Sequence, residues 1–212
     1  MTALHTIKDD FEEKRLEAEI LINHIQDISN ETGSVNKVAI LKSAFIILLY
    51  NVIESTAVLI LERVHEKVSR HQYCELSEQL KKLYIECYMF NESKKKQQVA
   101  LDLIIGNSLA FPDFEELTKK INLFSGNLDA RELSKIMGRY GIGKITSLNK
   151  EKLVIVKNKR NKIAHGEVMF KECCRDSTHK ELSVIKTAVF DSLNQMILLT
   201  DKYFEQKRYL VH

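Results

Sequence analysis

"VAILKSAFIILLYNVIESTAVLIL", residues 38–61, decides the fold of this 212-residue chain. A helix built from this stretch is apolar on nearly every side, which is typical of a helix at the centre of a protein. Lys42 and Glu54 interrupt it, and its longest charge-free run, residues 43–53, is too short to cross a bilayer. We therefore expect a central core helix that continues to about Arg70, and no membrane partner.

The rest of the chain also favours helices. Only one proline and seven glycines occur, so residues that break helices are scarce. Apolar residues recur at helical spacing along most of the sequence. The predicted fold class is all-α, with helices at about residues 7–29, 37–70, 75–90, 97–109, 112–120, 129–140, from 147 or 149 to 165, and from 179 onward.

Local signals indicate where several of these helices begin and end. Pro112 fits the first turn of the short helix "PDFEELTKK". Asp129 is a typical helix start and Gly141 a typical helix stop. "THKE", residues 178–181, has the spacing of a capping box for the final helix. The lysines at residues 94–96 are predicted to lie in a solvated turn.

Two long helices have a predicted apolar face that would pack against the central helix. On the first helix the face comprises Phe11, Leu16, Ile20, Leu21, Ile25 and Ile28. On the last helix it comprises Leu182, Ile185, Val189, Leu193, Met196, Ile197, Leu199 and Phe204. No domain boundary is visible, so we expect a single domain over residues 1–212, with residues 91–143 as an inserted set of shorter helices.

Composition limits the function classes. The net charge of +3 is nearly neutral, so binding of nucleic acid requires local clustering of cations. The four cysteines show no CxxC spacing and no signal peptide opens the chain, which favours a reduced, cytoplasmic protein. His65, His71, Cys74 and Cys87 fit no standard zinc pattern. We expect neither a metal nor another cofactor.

"KNKRNKIAHG", residues 157–166, departs from this pattern of supporting helices. On a helical wheel Leu153, Val156, Ile163 and Ala164 share one sector, which is expected to face the core. Arg160 falls in the same sector, and burial of an unpaired guanidinium is costly. Three explanations are open: Arg160 reaches water along its aliphatic stem, it pairs with Glu54, or the sector lines a cleft or a subunit interface.

His165 lies roughly 140° further round the helix than Arg160. It shares a stripe with Asn158 and Asn161, so Asn161 is placed to orient the imidazole. Gly166 is predicted to end the helix just beyond it. Two interpretations of the surrounding lysines stay open, namely a surface for a phosphate backbone or an ordinary solvated basic helix; these lysines are Lys150, Lys152, Lys157, Lys159 and Lys162.

Three segments together resemble the HEPN superfamily. "RNKIAHG" matches its R-x(4–6)-H signature, with a polar residue directly after the arginine. "FIILLYNVIEST", residues 45–56, is similar to the aromatic-x-x-x-Glu helix of a defence-associated branch, with Tyr50 and Glu54 at the matching positions. "GNLDARELSKIMGRYGI", residues 126–142, is similar to the segment that precedes the motif helix in that branch.

The resemblance implies an all-α HEPN-like bundle and a metal-independent endoribonuclease. It implies Arg160, His165 and Asn161 as catalytic residues and Glu54 and Tyr50 as supporting ones, and RNA contacts are expected at Lys157, Lys159 and Lys162. Members usually pair, so a homodimer with a shared cleft is expected. A toxin of a toxin–antitoxin or anti-phage defence system would also need an antitoxin or defence partner protein.

The resemblance leaves one alternative and one departure. The alternative is a noncatalytic HEPN adaptor that binds RNA, a nucleotide or a partner protein. Some HEPN toxins carry a tyrosine two residues after the histidine, which a partner nucleotidyltransferase modifies. Glu167 occupies that position here, so we expect no control by modification at this site.

Overall fold

Helix α2, Val35–Val68, is the centre of the fold. It packs against α1, His5–Ser29, against α7, Lys150–Ala164, and against α8, His179–Glu205. Phe45, Ile46 and Leu49 are among its fully buried residues, as its apolar composition predicts. The computed structural model describes residues 4–89, 92–106, 109–123, 127–146 and 150–211.

Shorter helices complete the bundle. Within the described residues the structure contains eight α-helices and no named β-strand, which confirms the all-α fold class. The short ones are α3, Glu78–Met89, α4, Lys94–Ile105, α5, Phe114–Lys120, and α6, Ala130–Arg139, and a 3-10 turn at Tyr73–Glu75 precedes α3. Side chains from α3, α5 and α6 belong to the same hydrophobic core as α2. Whether residues 91–143 are an insertion stays a prediction.

Helices α2 and α8 are both long and apolar enough to cross a membrane by length and composition alone. In the fold, 56% of the most apolar window of α2 and 50% of that of α8 are buried inside the protein. A central core helix passes the same test, and α2 packs against four other helices. Its apolar composition is therefore accounted for by the core.

Several predicted helix ends are confirmed. Asp129 is the N-cap of α6, and Gly141 follows its C-terminus with a φ of 74°. Thr178 and Glu181 form the predicted capping box at the start of α8. The predicted start of α7 at Ser147 or Asn149 lies outside the described residues.

Three other predictions are wrong at the level of individual residues. Leu16 and Ile20 are each 61% exposed, because the buried stripe of α1 runs through Ile7, Phe11, Ala18, Ile22 and Ile25 instead. The lysines at 94–96 form the first turn of α4, not a free turn. Pro112 precedes the N-cap Asp113 of α5 and is not in its first turn.

Candidate functional site

Helix α7 carries the basic motif, and its two ends have different surroundings. Leu153 and Val156 are fully buried against the core. Ile163 is only half-buried and Ala164 is exposed, so the prediction that these two also face the core is wrong for Ala164 and too strong for Ile163. The C-terminal turn of α7 therefore leaves the core, and Arg160, which lies between the two halves, is half-buried rather than sealed.

Arg160 rests on a tyrosine of the central helix. Its guanidinium carbon lies 4.4 Å from the centroid of the Tyr50 ring, within the range of a cation–π contact. Its Nη1 also donates to Oδ1 of Asn161 at 3.2 Å. These contacts account for an arginine on an apolar sector, because the ring face replaces part of the lost hydration.

Glu54 lies one helical turn after Tyr50 and is half-buried. Among the ion pairs of the described residues none joins Glu54 to Arg160. Burial raises the pKa of the Tyr50 hydroxyl, and the negative charge of Glu54 adds to this rise, whereas Arg160 and Lys157 oppose it. Glu54 therefore raises the pKa of the tyrosine whose ring contacts Arg160. The direct ion pair between Glu54 and Arg160 that the sequence left open is not formed.

Residues 127–129, which we call the clamp segment, hold the motif helix and the central helix together. Oδ1 of Asn127 accepts a hydrogen bond from Nδ2 of Asn161. The backbone N–H of Leu128 donates to the Tyr50 hydroxyl at 3.4 Å. Oδ2 of Asp129 accepts from Nζ of Lys157 at 2.8 Å. Three consecutive residues thus fix the surroundings of Arg160 from one side.

Asp129 has two structural tasks. Its Oδ1 caps α6 by accepting from the backbone N–H groups of Arg131 and Glu132, at 2.9 and 3.1 Å. Its Oδ2 pairs with Lys157, and the side chains of this pair are only 11% and 20% exposed. Burial alone would raise the pKa of Asp129, but the hydrogen bonds from Lys157 and the two N–H groups outweigh it and lower the pKa.

We expect Asp129→Ala to lower the free energy of unfolding by about 2 kcal/mol, since it removes a helix cap and a shielded charged hydrogen bond. Asp129→Asn keeps a good capping residue and loses only the charge, so it should cost about half as much. Denaturant unfolding at neutral pH measures both. Equal losses in the two variants would show that the cap contributes nothing.

The Asn161 side chain bonds to Arg160 and to the clamp segment. Its oxygen accepts from Arg160 and its nitrogen donates to Asn127. Neither contact involves His165, so the predicted hydrogen bond that would orient the imidazole is not formed. In this chain Asn161 therefore links the guanidinium of Arg160 to the clamp segment.

His165 caps the C-terminus of α7. Gly166, with a φ of 68°, follows it, and the N–H groups of Gly166 and Glu167 bond back to the carbonyls of Ile163 and Lys162 at 3.1 and 2.9 Å. This is a Schellman ending, and it confirms the predicted helix stop at Gly166. The imidazole is exposed, and it has no hydrogen bond to any residue that the structure describes. Both ring nitrogens are therefore open to a ligand.

The three lysines expected to contact RNA have different surroundings. Lys157 is paired with Asp129, so its charge is largely compensated. Lys159 is half-buried and donates to the carbonyl of Cys173 at 2.8 Å. Lys162 is exposed on the last turn of α7. Lys162 is therefore the most accessible of these three cations.

Two of the cysteines lie in the loop that follows α7. Cys174 is buried and Cys173 is half-buried, with its Sγ 3.6 Å from the carbonyl oxygen of Lys159. Burial raises the pKa of the Cys173 thiol to about 11. The loop is thus packed onto the motif helix, and its thiol is held in the protonated form.

His65, one of the four residues whose spacing fits no standard zinc pattern, forms two hydrogen bonds inside the core. Nδ1 of His65 lies 2.7 Å from the carbonyl of Pro112, and Nε2 lies 2.7 Å from the Tyr140 hydroxyl. In the described part of the chain no three His, Cys, Asp or Glu side chains are grouped so as to hold a metal ion. His65 therefore has a structural role, linking α2 to the segments before α5 and after α6.

These features define a class of protein: an all-α bundle in which one helix carries an arginine held on the central helix and, five residues later, an exposed histidine. The chain matches the model of the MAE_28990-like HEPN family over residues 3–209 and belongs to that family. HEPN domains are frequently nucleases. No curated protein and no solved structure matches the chain.

Proposed function

We propose that this protein is an endoribonuclease of the HEPN type whose centre comprises Arg160, Asn161 and His165. The observation that carries the proposal is the contrast on α7 between an arginine anchored on Tyr50 and an imidazole with both nitrogens open. An anchored cation suits the stabilisation of charge on a phosphate. An accessible imidazole suits proton transfer.

The proposed reaction is an internal transfer within RNA. The ribose 2′-hydroxyl gives its proton to the neutral His165 imidazole, and its oxygen attacks the adjacent phosphorus. The bond from phosphorus to the 5′-oxygen breaks, and that oxygen takes up the proton that His165 has accepted, which returns the imidazole to its neutral form. Arg160 stabilises the negative charge that develops on the phosphoryl oxygens, and Asn161 holds the guanidinium in place. The products are a 2′,3′-cyclic phosphate and a 5′-hydroxyl.

The proposed site is shared between two copies of the chain. Arg160 and His165 lie roughly 140° apart around α7, so one copy presents them on different faces. Pairing of the C-terminal turns of two α7 helices would bring one Arg160 and the other copy's His165 to the same phosphate. The exposed Ala164 next to His165 leaves room for such an approach.

We expect a dimer at micromolar concentration by multi-angle light scattering. Mixing Arg160→Ala protein with His165→Ala protein should also restore part of the RNA cleavage, because a mixed dimer contains one complete site. Denaturation and joint refolding ensure exchange of subunits. A monomer that cleaves RNA, or a mixture without recovered activity, would contradict the shared site.

The experiment that tests the function is incubation of purified protein with single-stranded RNA in excess EDTA. The proposed reaction uses the chain's own side chains, so cleavage should persist, and the new ends should be 2′,3′-cyclic phosphate and 5′-hydroxyl. A 2′-deoxy substitution at the cleavage position should block the reaction. Binding of RNA without cleavage under all conditions would favour the noncatalytic adaptor.

A restraint on this activity is part of the proposal. A ribonuclease that cuts cellular RNA is toxic to its host, so an antitoxin or a defence partner protein is expected to control it. Glu167 stands where some HEPN toxins carry a modifiable tyrosine. We therefore expect control by binding rather than by modification at that position.

A further inference from the structure

A second basic surface lies beside the candidate centre, in a groove between α7 and α8. Its volume is about 360 Å³. Lys152, Ile155 and Lys159 form its α7 wall, and their spacings of three and four residues place them on one face of that helix. Lys180 and Val184, four residues apart, belong to its α8 wall. Both walls therefore combine cations with an apolar side chain.

The cations of this groove are incompletely compensated. Lys152 and Lys180 form no ion pair with any described residue, and Lys159 bonds to a neutral carbonyl. Glu181 is the one acidic side chain of the lining, and its carboxylate accepts from the backbone N–H of Thr178 at 2.7 Å. Three lysines thus face one carboxylate that is already used as a helix cap.

The floor of the groove is apolar. Ile155, Val184 and Ile185 line it, and Val184 is 44% exposed. Lys152 and Lys159 are separated by about 10 Å along α7, with Ile155 between them. A ligand that fits this pattern carries negative charges at intervals and a flat, weakly polar group between them. Single-stranded RNA has this chemistry, since its phosphates alternate with bases.

We propose that the groove between α7 and α8 binds a segment of single-stranded RNA, with phosphates on Lys152, Lys159 and Lys180 and a base against Ile155 and Val184. The inference rests on the proposed function, because it gives the RNA a path to the same centre. Lys159 directly precedes Arg160, so a strand that leaves the groove over Lys159 arrives at the catalytic end of α7. The groove thus holds nucleotides beside the cleaved bond.

The test measures binding separately from cleavage. A fluorescent twelve-nucleotide RNA with every 2′-hydroxyl methylated is not cleavable by 2′-hydroxyl attack, and its binding is followed by anisotropy across a range of salt concentrations. Lys152→Gln/Lys180→Gln should weaken binding roughly 25-fold at 0.1 M salt, since each lost phosphate contact removes a factor of about five. The slope of log K against log salt should become less steep by about 1.4.

Lys67→Gln/Lys82→Gln on α2 and α3 is the matched control, because it removes the same charge outside the groove. An equal loss of affinity in both double variants would overturn the proposal by showing a nonspecific charge effect. Adenosine monophosphate is the second probe. If adenosine monophosphate displaces the oligonucleotide and binds with the same affinity as the oligonucleotide, the groove is a site for free nucleotide and the RNA path is wrong.

The two proposals fail in different ways. Absence of cleavage with groove-dependent binding of the methylated RNA would overturn the ribonuclease function and keep the binding surface. Cleavage with unchanged binding in Lys152→Gln/Lys180→Gln would keep the function and overturn the groove. Thermal unfolding of each variant checks that the fold is retained. We expect it to be retained because both lysines lie on the surface of the groove.

Discussion

His165→Ala is expected to lower the rate of RNA cleavage about 100-fold or more, since general acid–base catalysis by a positioned histidine contributes on the order of 10² to 10⁴. The imidazole is exposed and makes no hydrogen bond to a described residue, so its removal should leave the free energy of unfolding nearly unchanged. Binding of the methylated RNA should also be nearly unchanged. Single-turnover cleavage assays with excess enzyme measure the rate.

The control for this prediction is His24→Ala. His24 is an exposed histidine on α1, so the substitution removes the same group from a surface remote in sequence from the motif. Cleavage by His24→Ala should equal that of the wild type. If His165→Ala keeps full activity, or if both variants lose activity together, His165 is not the proton-transfer group.

The fold was predictable where one helix is apolar on all sides. Residues 38–61 admit few solutions other than a buried helix, and α2 occupies the centre as expected. An amphipathic helix with two apolar stripes is harder to interpret. On α1 the sequence offers Leu16 and Ile20 at correct helical spacing, yet the neighbours of α1 cover the stripe of Ile22 instead. Which stripe is buried depends on long-range packing.

The site was predictable to the extent that it is local. The spacing of Arg160 and His165 and the stop at Gly166 are properties of ten consecutive residues. The contact of Arg160 with Tyr50 is not local, because these two residues lie more than 100 positions apart in the chain. Asn127 and Asp129 were missed as partners of Asn161 and Lys157 for the same reason.

The structural role of His65 could not be predicted from the sequence, where the residue could be considered only as a zinc ligand. Its neighbours along α2 are ordinary, and its two partners come from the segments before α5 and after α6. Only the fold shows that the ring is buried with both nitrogens bonded. That environment has a consequence for stability at acid pH, which is the second large effect expected for this protein.

Acidification from pH 6.5 to pH 4 is expected to remove about 3 kcal/mol from the free energy of unfolding through His65 alone. Burial lowers the pKa of His65 to about 4, although the Pro112 carbonyl and Asp113 act in the opposite direction. As the pH falls, His65 of the unfolded chain therefore takes up a proton near pH 6.5, whereas His65 of the folded chain takes it up only near pH 4. Between these values protons favour the unfolded state, so stability falls as the pH falls.

Burial explains why the folded protein takes up this proton only near pH 4, and the two hydrogen bonds fix the tautomer of the neutral ring. The Pro112 carbonyl can only accept, so Nδ1 carries the hydrogen, and Nε2 accepts from the Tyr140 hydroxyl. A proton on Nε2 would turn this nitrogen into a donor, so the Tyr140 hydroxyl would have to rotate and accept, in a core where His65 is 2% exposed and Tyr140 is fully buried. The cationic form thus loses its hydration, which the buried surroundings do not replace.

His65→Gln separates this effect from general acid sensitivity. Glutamine can donate to Pro112 and accept from Tyr140, yet it does not titrate, so its unfolding free energy should depend much less on pH between 6.5 and 4.5. Guanidinium unfolding at intervals of half a pH unit measures both proteins. Asp129 and Glu181, whose pKa values are lowered, lose their contributions only as the pH falls further, through the range where carboxylates take up protons. Parallel curves for wild type and His65→Gln above pH 4.5 would therefore mean that His65 is not the group that makes the fold sensitive to acid.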